Sequence, residues 1–182
     1  MMRFVPRGSA VLCAIALGAC GGGSSAPQAN SPANSPESPK AKLLALEESG
    51  AIPKLERGPT LEGIDANRNG IRDDIDAFIE RSYSTEPQRR AARQLAANLQ
   101  KTMLVNKADR AALNQVEIEG GRAVHCIFLR FGGSNGSKHP AAVSQELESV
   151  TANTKDRLKA YLAYSKAMDG TVMSLPEGDT CE

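Results

Sequence analysis

The chain has 182 residues, with 22 basic against 21 acidic side chains and a formal net charge of +1. That balance leaves no electrostatic footprint for nucleic acid. Aromatic residues make up 4% and Trp is absent, so there is no stacking platform for carbohydrate.

At the N-terminus Arg3 and Arg7 precede an apolar run from Ala10 to Leu17, which ends in Leu17-Gly18-Ala19-Cys20. A positive start, a short apolar segment and small residues before a cleavage point make residues 1–19 a secretory signal. The run is too short for a permanent bilayer span. Its Leu-Gly-Ala-Cys ending resembles the lipobox of bacterial lipoproteins. The resemblance implies that Cys20 is lipidated, becomes the mature N-terminus and anchors the protein in the bacterial cell envelope. Gly21 stands where an Asp would retain a lipoprotein in the inner membrane, so the resemblance implies the outer membrane. Removing residues 1–19 takes away two arginines and leaves a net charge of about −1.

Residues 20–39 hold the anchor cysteine and a Gly, Ser, Asn and Pro stretch with prolines at 27, 32, 36 and 39. Such a composition cannot bury apolar surface and reads as a disordered tether, reaching at most about 60 Å when extended. Residues 40–182 then suffice for one domain with one core.

The first helix is expected over Lys40–Ser49, carrying Leu43, Leu44 and Leu46, with Gly50 as its stop. Pro53, Gly58, Pro59 and Gly63 make residues 51–64 extended connecting chain. That chain leads into the strongest chemical pattern of the sequence, residues 65–76. Asp65, Asn67 and Asn69 present oxygen-bearing side chains at alternate positions, Gly70 allows a sharp reversal, and Asp73 and Asp76 return carboxylates. A short loop wraps a hard cation in this way, with the Ile71 carbonyl turned in as a further oxygen.

The Asp-x-Asn-x-Asn-Gly start resembles an EF-hand, although Asp76 replaces the usual Glu and Ile71 stands one place early. The phase of the whole twelve residues resembles a single thrombospondin type 3 calcium repeat. Both resemblances imply calcium, held by Asp65, Asn67, Asn69, Ile71, Asp73 and Asp76. The chain as a whole resembles uncharacterised small bacterial lipoproteins that bear such a loop ahead of a helical domain.

Helix follows the loop, with Ile75, Phe78 and Ile79 on one face and Asp73, Asp74 and Asp76 at the positive end of the dipole. Thr85 with Gln88 has the capping-box form and Pro87 falls in the first turn. Ala92, Leu95, Ala96, Leu99 and Met103 form the next stripe, and Arg89, Arg90 and Arg93 read as its solvated flank. From Asp109 to Phe131 the apolar phase runs straight through Gly120-Gly121, which predicts one long helix. Cys126 is expected on its far side with Ile118 and Leu129, a second apolar face for the C-terminal tail to cover. Residues 132–140 read as a mobile loop. Beyond it, Val143, Leu147 and Val150 mark a helix. Asn153 or Thr154 restarts it, with Leu158, Tyr161, Leu162, Ser165 and Met168 on one side and a stop at Gly170. The expected class is all-α, a bundle of four or five helices.

With Cys13 lost in the signal and Cys20 acylated, Cys126 and Cys181 remain in the mature body. In an exported protein the pair reads as a disulfide, worth about 4 kcal/mol for a loop of this length. His125 and His139 stand at no zinc-ligand spacing. No residue set reads as catalytic. His125 and Cys126 are helix neighbours and point about 100° apart, so they do not form a thiol–imidazole pair. The sequence thus favours an envelope lipoprotein with a structural calcium loop that binds a protein or envelope component. The alternatives are a small calcium-dependent hydrolase and an inhibitor or immunity-type lipoprotein.

Overall fold

The computed structural model describes residues 38–133, 138–172 and 174–182. The signal segment 1–19, Cys20 and the tether up to residue 37 lie outside the described residues, as does part of the loop expected at 132–140. One unit runs from Ser38 to Glu182.

Its first element is α1 (Pro39–Glu48), which starts inside the stretch assigned to the tether. The reason is local: Ser38 caps it, its hydroxyl accepting from the Ala41 N–H at 3.2 Å, and Pro39 sits in the first turn, where a missing N–H costs nothing. Gly50 takes φ 73° just past the helix end. Then follow α2 (Asp73–Ser82), α3 (Glu86–Leu104), α4 (Arg110–Phe131), α5 (Pro140–Thr151) and α6 (Lys155–Ala167). The fold is all-α, with no strand among the described residues. The described helices number six, where four or five were expected. Part of the difference lies at Thr154, whose side chain accepts from Arg157 N–H and opens a new helix instead of resuming α5.

The third helix is the centre, packing against α2, α4, α5 and α6, while α4 also packs on α5. Its stripe meets Ile75, Phe78 and Ile79 of α2, Ala123, Ile127 and Phe131 of α4, and Val143, Leu147 and Val150 of α5 in one core. Tyr83, at the end of α2, joins edge-on to Phe78 and Phe131 and donates its hydroxyl to Glu146 at 3.2 Å.

Helix α4 does run unbroken through Gly120-Gly121. An ideal Cβ on Gly120 would stand 2.9 Å from Asn98 Oδ1, and the Asn98 amide donates to the Val116 carbonyl at 2.9 Å. The glycine therefore makes room for a buried polar link between α3 and α4.

Two expected faces are corrected. Ile118 is 61% exposed and Leu129 lies half in solvent, so the tail does not cover a second apolar face of α4. Cys126 is fully buried at the edge of the main stripe, beside Ala123 and Ile127. On α6, Leu158 and Leu162 of the expected inner side are exposed, and Arg157 is the buried residue. Hydropathy ranked the leucines above the arginine. The arginine won because the backbone carbonyls of the 56–61 segment saturate its donors.

Candidate metal loop

The acidic loop is held by its own side chains. Asp65 accepts from the Asn69 N–H at 3.1 Å and the Gly70 N–H at 2.9 Å, Asn67 from Asn69 at 3.1 Å, and Asn69 from Ile71 at 2.9 Å. Asp73 closes the far side by accepting from the Ala66 N–H at 3.1 Å. Each short Asx side chain thus organises the backbone two to seven residues away. Arg68 at φ 58° and Gly70 at φ 81° supply the two left-handed turns, the first at some cost for a residue with a Cβ. Asp76 sits at the opening of α2, its Oδ2 accepting from Asn69 Nδ2 at 2.6 Å and its Oδ1 lying 3.4 Å from Arg93 Nε.

The donor set is chemically suited to a hard cation: carboxylates from Asp65, Asp73 and Asp76, amide oxygens from Asn67 and Asn69, and the Ile71 carbonyl. Among the described residues no group of three or more His, Cys, Asp or Glu side chains is gathered as a metal cluster. Asp65 and Asp73 engage backbone amides, while Asp76 engages Arg93 and the amide nitrogen of Asn69.

The loop leads into a buried polar network that sequence reading missed. Arg72, 1% exposed, lies within the loop at the N-cap position of α2, without a side-chain capping bond. Its guanidinium grips Asp74 through Nε at 2.9 Å and Nη2 at 3.0 Å, and donates to the Thr151 carbonyl at 2.9 Å. Arg157, 0% exposed, reaches the 56–61 segment. It donates to the carbonyls of Glu56 at 2.8 Å, Thr60 at 3.1 Å and Leu61 at 3.3 Å, to Asn153 Oδ1 at 2.9 Å, and to the Glu56 carboxylate. Asn153 returns a bond from Nδ2 to the Glu56 carbonyl at 2.8 Å, and Asp74 accepts from the Glu56 N–H at 2.9 Å. A stretch of connecting chain without helix or strand is thereby tied to the start of α2 and to the α5–α6 corner. A usable sequence signal was Arg157 itself, a cation at a register position flanked by leucines one and five residues on.

Burial pushes the Glu56 carboxyl up, but the Arg157 guanidinium and the Gly58 N–H outweigh it and hold its pKa below the ordinary value. The sign follows from linkage. A depressed carboxyl contributes stability that is complete above its unfolded-chain value of about 4.3 and is lost as pH falls through the lower folded value. Glu56→Gln is expected to flatten the acid limb of a melting temperature against pH profile. An acid limb identical to that of the parent would refute this assignment.

The remaining candidates separate from the loop. Cys126 and Cys181 form a disulfide, with Cα atoms 5.0 Å apart and 55 residues between them in sequence. His125 Nδ1 lies 3.3 Å from Thr180 Oγ1, but that hydroxyl gives its proton to the Arg122 carbonyl at 2.9 Å. The cavity at His125, about 500 Å³, is walled by α4 and residues 176–179 and includes no loop residue. His139 caps α5, its ring nitrogen accepting from the Ala141 N–H at 3.3 Å. Arg89 and Arg93, expected as a solvated flank, instead pair with Glu80 and Glu86. A cavity of about 660 Å³ beside Tyr83 and Phe131 contains Arg89 and Lys138, and Lys138 is engaged by Glu146 at 2.7 Å. No described helix is long and apolar enough to cross a membrane. No family model, curated protein or solved structure matches this chain.

Proposed function

We propose that the protein is an envelope lipoprotein, anchored through Cys20, whose residues 65–76 bind calcium as a structural ion in a module that docks a protein or envelope component. The observation that carries the metal's structural role is Arg72. This residue of the loop is also a buried member of the network joining residues 56–61 to α5 and α6. An ion ordering the loop orders that junction. A hydrolase would need a cleft running from the loop to a proton-transfer group, and the cavity at His125 is built from other elements. The anchor is supported by the lipobox pattern of the sequence alone.

Calcium is expected to raise the melting temperature, since an ion that binds only the folded state adds about 2.7 kcal/mol at a hundredfold excess over Kd. Asp65→Ala should remove the shift, and Cys20→Ser should release the protein from membranes. Absence of both binding heat and any melting change at millimolar calcium overturns the metal. Unchanged membrane attachment with an unmodified Cys20 overturns the anchor.

A further inference from the structure

Residues 174–182 carry no regular structure among those described, yet they lie as a strap across two helices. Gln94 of α3 donates to the Thr180 carbonyl at 3.0 Å and accepts from the Glu182 N–H at 3.3 Å. On the α4 side, Thr180 donates to the Arg122 carbonyl at 2.9 Å, Arg130 pairs with Asp179 at 2.7 Å, and Cys126 holds Cys181 covalently. The two sulfur-bearing residues differ in access. Cys126 is 0% exposed within the core, whereas Cys181 is half-buried and lines a surface cavity of about 170 Å³ with Pro87, Arg90, Arg130 and Glu182. Arg130 is already committed to Asp179, while Arg90 is exposed and has no carboxylate partner among the described residues.

We propose that Cys181 is the thiol-exchange site of a redox latch: a dithiol reductant enters at this cavity, attacks Cys181 Sγ, and frees the strap from α3 and α4. Exchange requires a thiolate to reach one sulfur of the bond, and the attacked sulfur is set by access as well as by the leaving group. Core burial closes Cys126 to an incoming thiolate, so the open side is Cys181. The incoming sulfur bonds to Cys181, the Cys126–Cys181 bond breaks, and Cys126 leaves as a thiolate that takes a proton. The reductant's second thiolate then attacks its own bonded sulfur, closing the reductant's disulfide and expelling Cys181, which also takes a proton. Two electrons pass from the dithiol to the protein pair. Arg90 favours the anionic attacker, as a cation does beside reactive thiolates.

Once the bond is open, the strap is held by a few hydrogen bonds at its edge and two surface ion pairs, Arg130 with Asp179 and Arg122 with Glu182, too little to offset the freedom that its residues regain. The helices keep their own core, because the strap supplies only Cys181 to it. This inference is independent of the metal and of the anchor.

The test uses the intact oxidised chain under native conditions. A monothiol added briefly and quenched with acid should leave a mixed disulfide that peptide mass spectrometry places on Cys181. After full reduction with dithiothreitol, endoprotease Glu-C should cut at Glu177 at least about tenfold faster, while far-UV circular dichroism stays unchanged. Arg90→Glu should slow the first exchange about tenfold at low ionic strength, with the difference fading as salt screens it. An adduct on Cys126 would sink the assignment of the attack site. Cleavage at Glu177 that ignores the redox state, or helicity that collapses on reduction, would sink the latch. An Arg90→Glu rate equal to the parent's would remove the arginine from it.

Discussion

Arg157→Ala is expected to cost about 3–5 kcal/mol of unfolding free energy, a large share of the roughly 5–15 kcal/mol that holds an ordinary domain. The guanidinium is wholly out of water and satisfies three carbonyls, an amide oxygen and a carboxylate. Truncation leaves the part-buried Glu56 carboxylate without its main counter-charge, strips the Thr60 carbonyl of its donor and halves the donors reaching the Glu56 and Leu61 carbonyls, which is the expensive half of losing a hydrogen bond. Arg157→Met keeps much of the volume and still loses every bond, so it separates packing from polar satisfaction. It should recover only part of the loss. Leu162→Ala, one turn and a little further along α6 at a site 55% exposed, should stay within about 0.5 kcal/mol. Urea unfolding of the three variants decides the matter. A cost below about 1 kcal/mol for Arg157→Ala would mean that the segment at 56–61 is held by something else.

The second large effect concerns the disulfide. Cys181→Ser in the oxidised protein is expected to lose about 2–4 kcal/mol, with the upper figure set by chain-entropy arithmetic for a closed span of this size. The span of 55 residues encloses the end of α4 and all of α5 and α6. The cross-link therefore acts mainly by restricting the unfolded chain, and no helix loses its own hydrogen bonds when it is cut. Cys126→Ala should lose somewhat more than Cys181→Ser, because it also removes a sulfur from the closed core at the edge of the α4 stripe. Guanidinium unfolding with and without reductant provides the check: the parent protein should shift on reduction and the two variants should not. A parent insensitive to reductant would refute the predicted contribution.

Much of the helical architecture is legible from short-range chemistry. Thr85 with Gln88, Thr154 with Arg157, and the apolar phases of α2, α3 and α5 all act within a few residues, where propensity, capping and amphipathicity are decided. The unbroken course of α4 through its glycine pair was also readable, since periodicity outlasted two poor helix formers. The Asx residues set two apart in one short stretch shape the loop through its own backbone amides, again within a few residues.

The burial of Arg72 and Arg157 was not readable. Both answer to backbone carbonyls that side-chain patterns do not display, and those of Arg157 lie about a hundred residues earlier in the chain. The placement of Leu158 and Leu162 failed along with it, because a helix face goes where its most demanding side chain is satisfied. Cys126 was misplaced for a simpler geometric reason. It stands three residues, about 60° around the helix, from Ala123, which is itself buried and widens the stripe toward Cys126.

The length of that arginine contact also orders events in time. Residues 56–61 emerge during synthesis or export far ahead of Arg157, and the nearer donor Gln100 reaches only the Leu61 carbonyl among them. Closure across so long a span is entropically slow and waits for the intervening helices to assemble. A nascent chain can therefore form α3 against α4 while the segment entering the acidic loop still lacks its clamp. The last helix in the chain thus completes the anchorage of one of its first segments, residues 56–61.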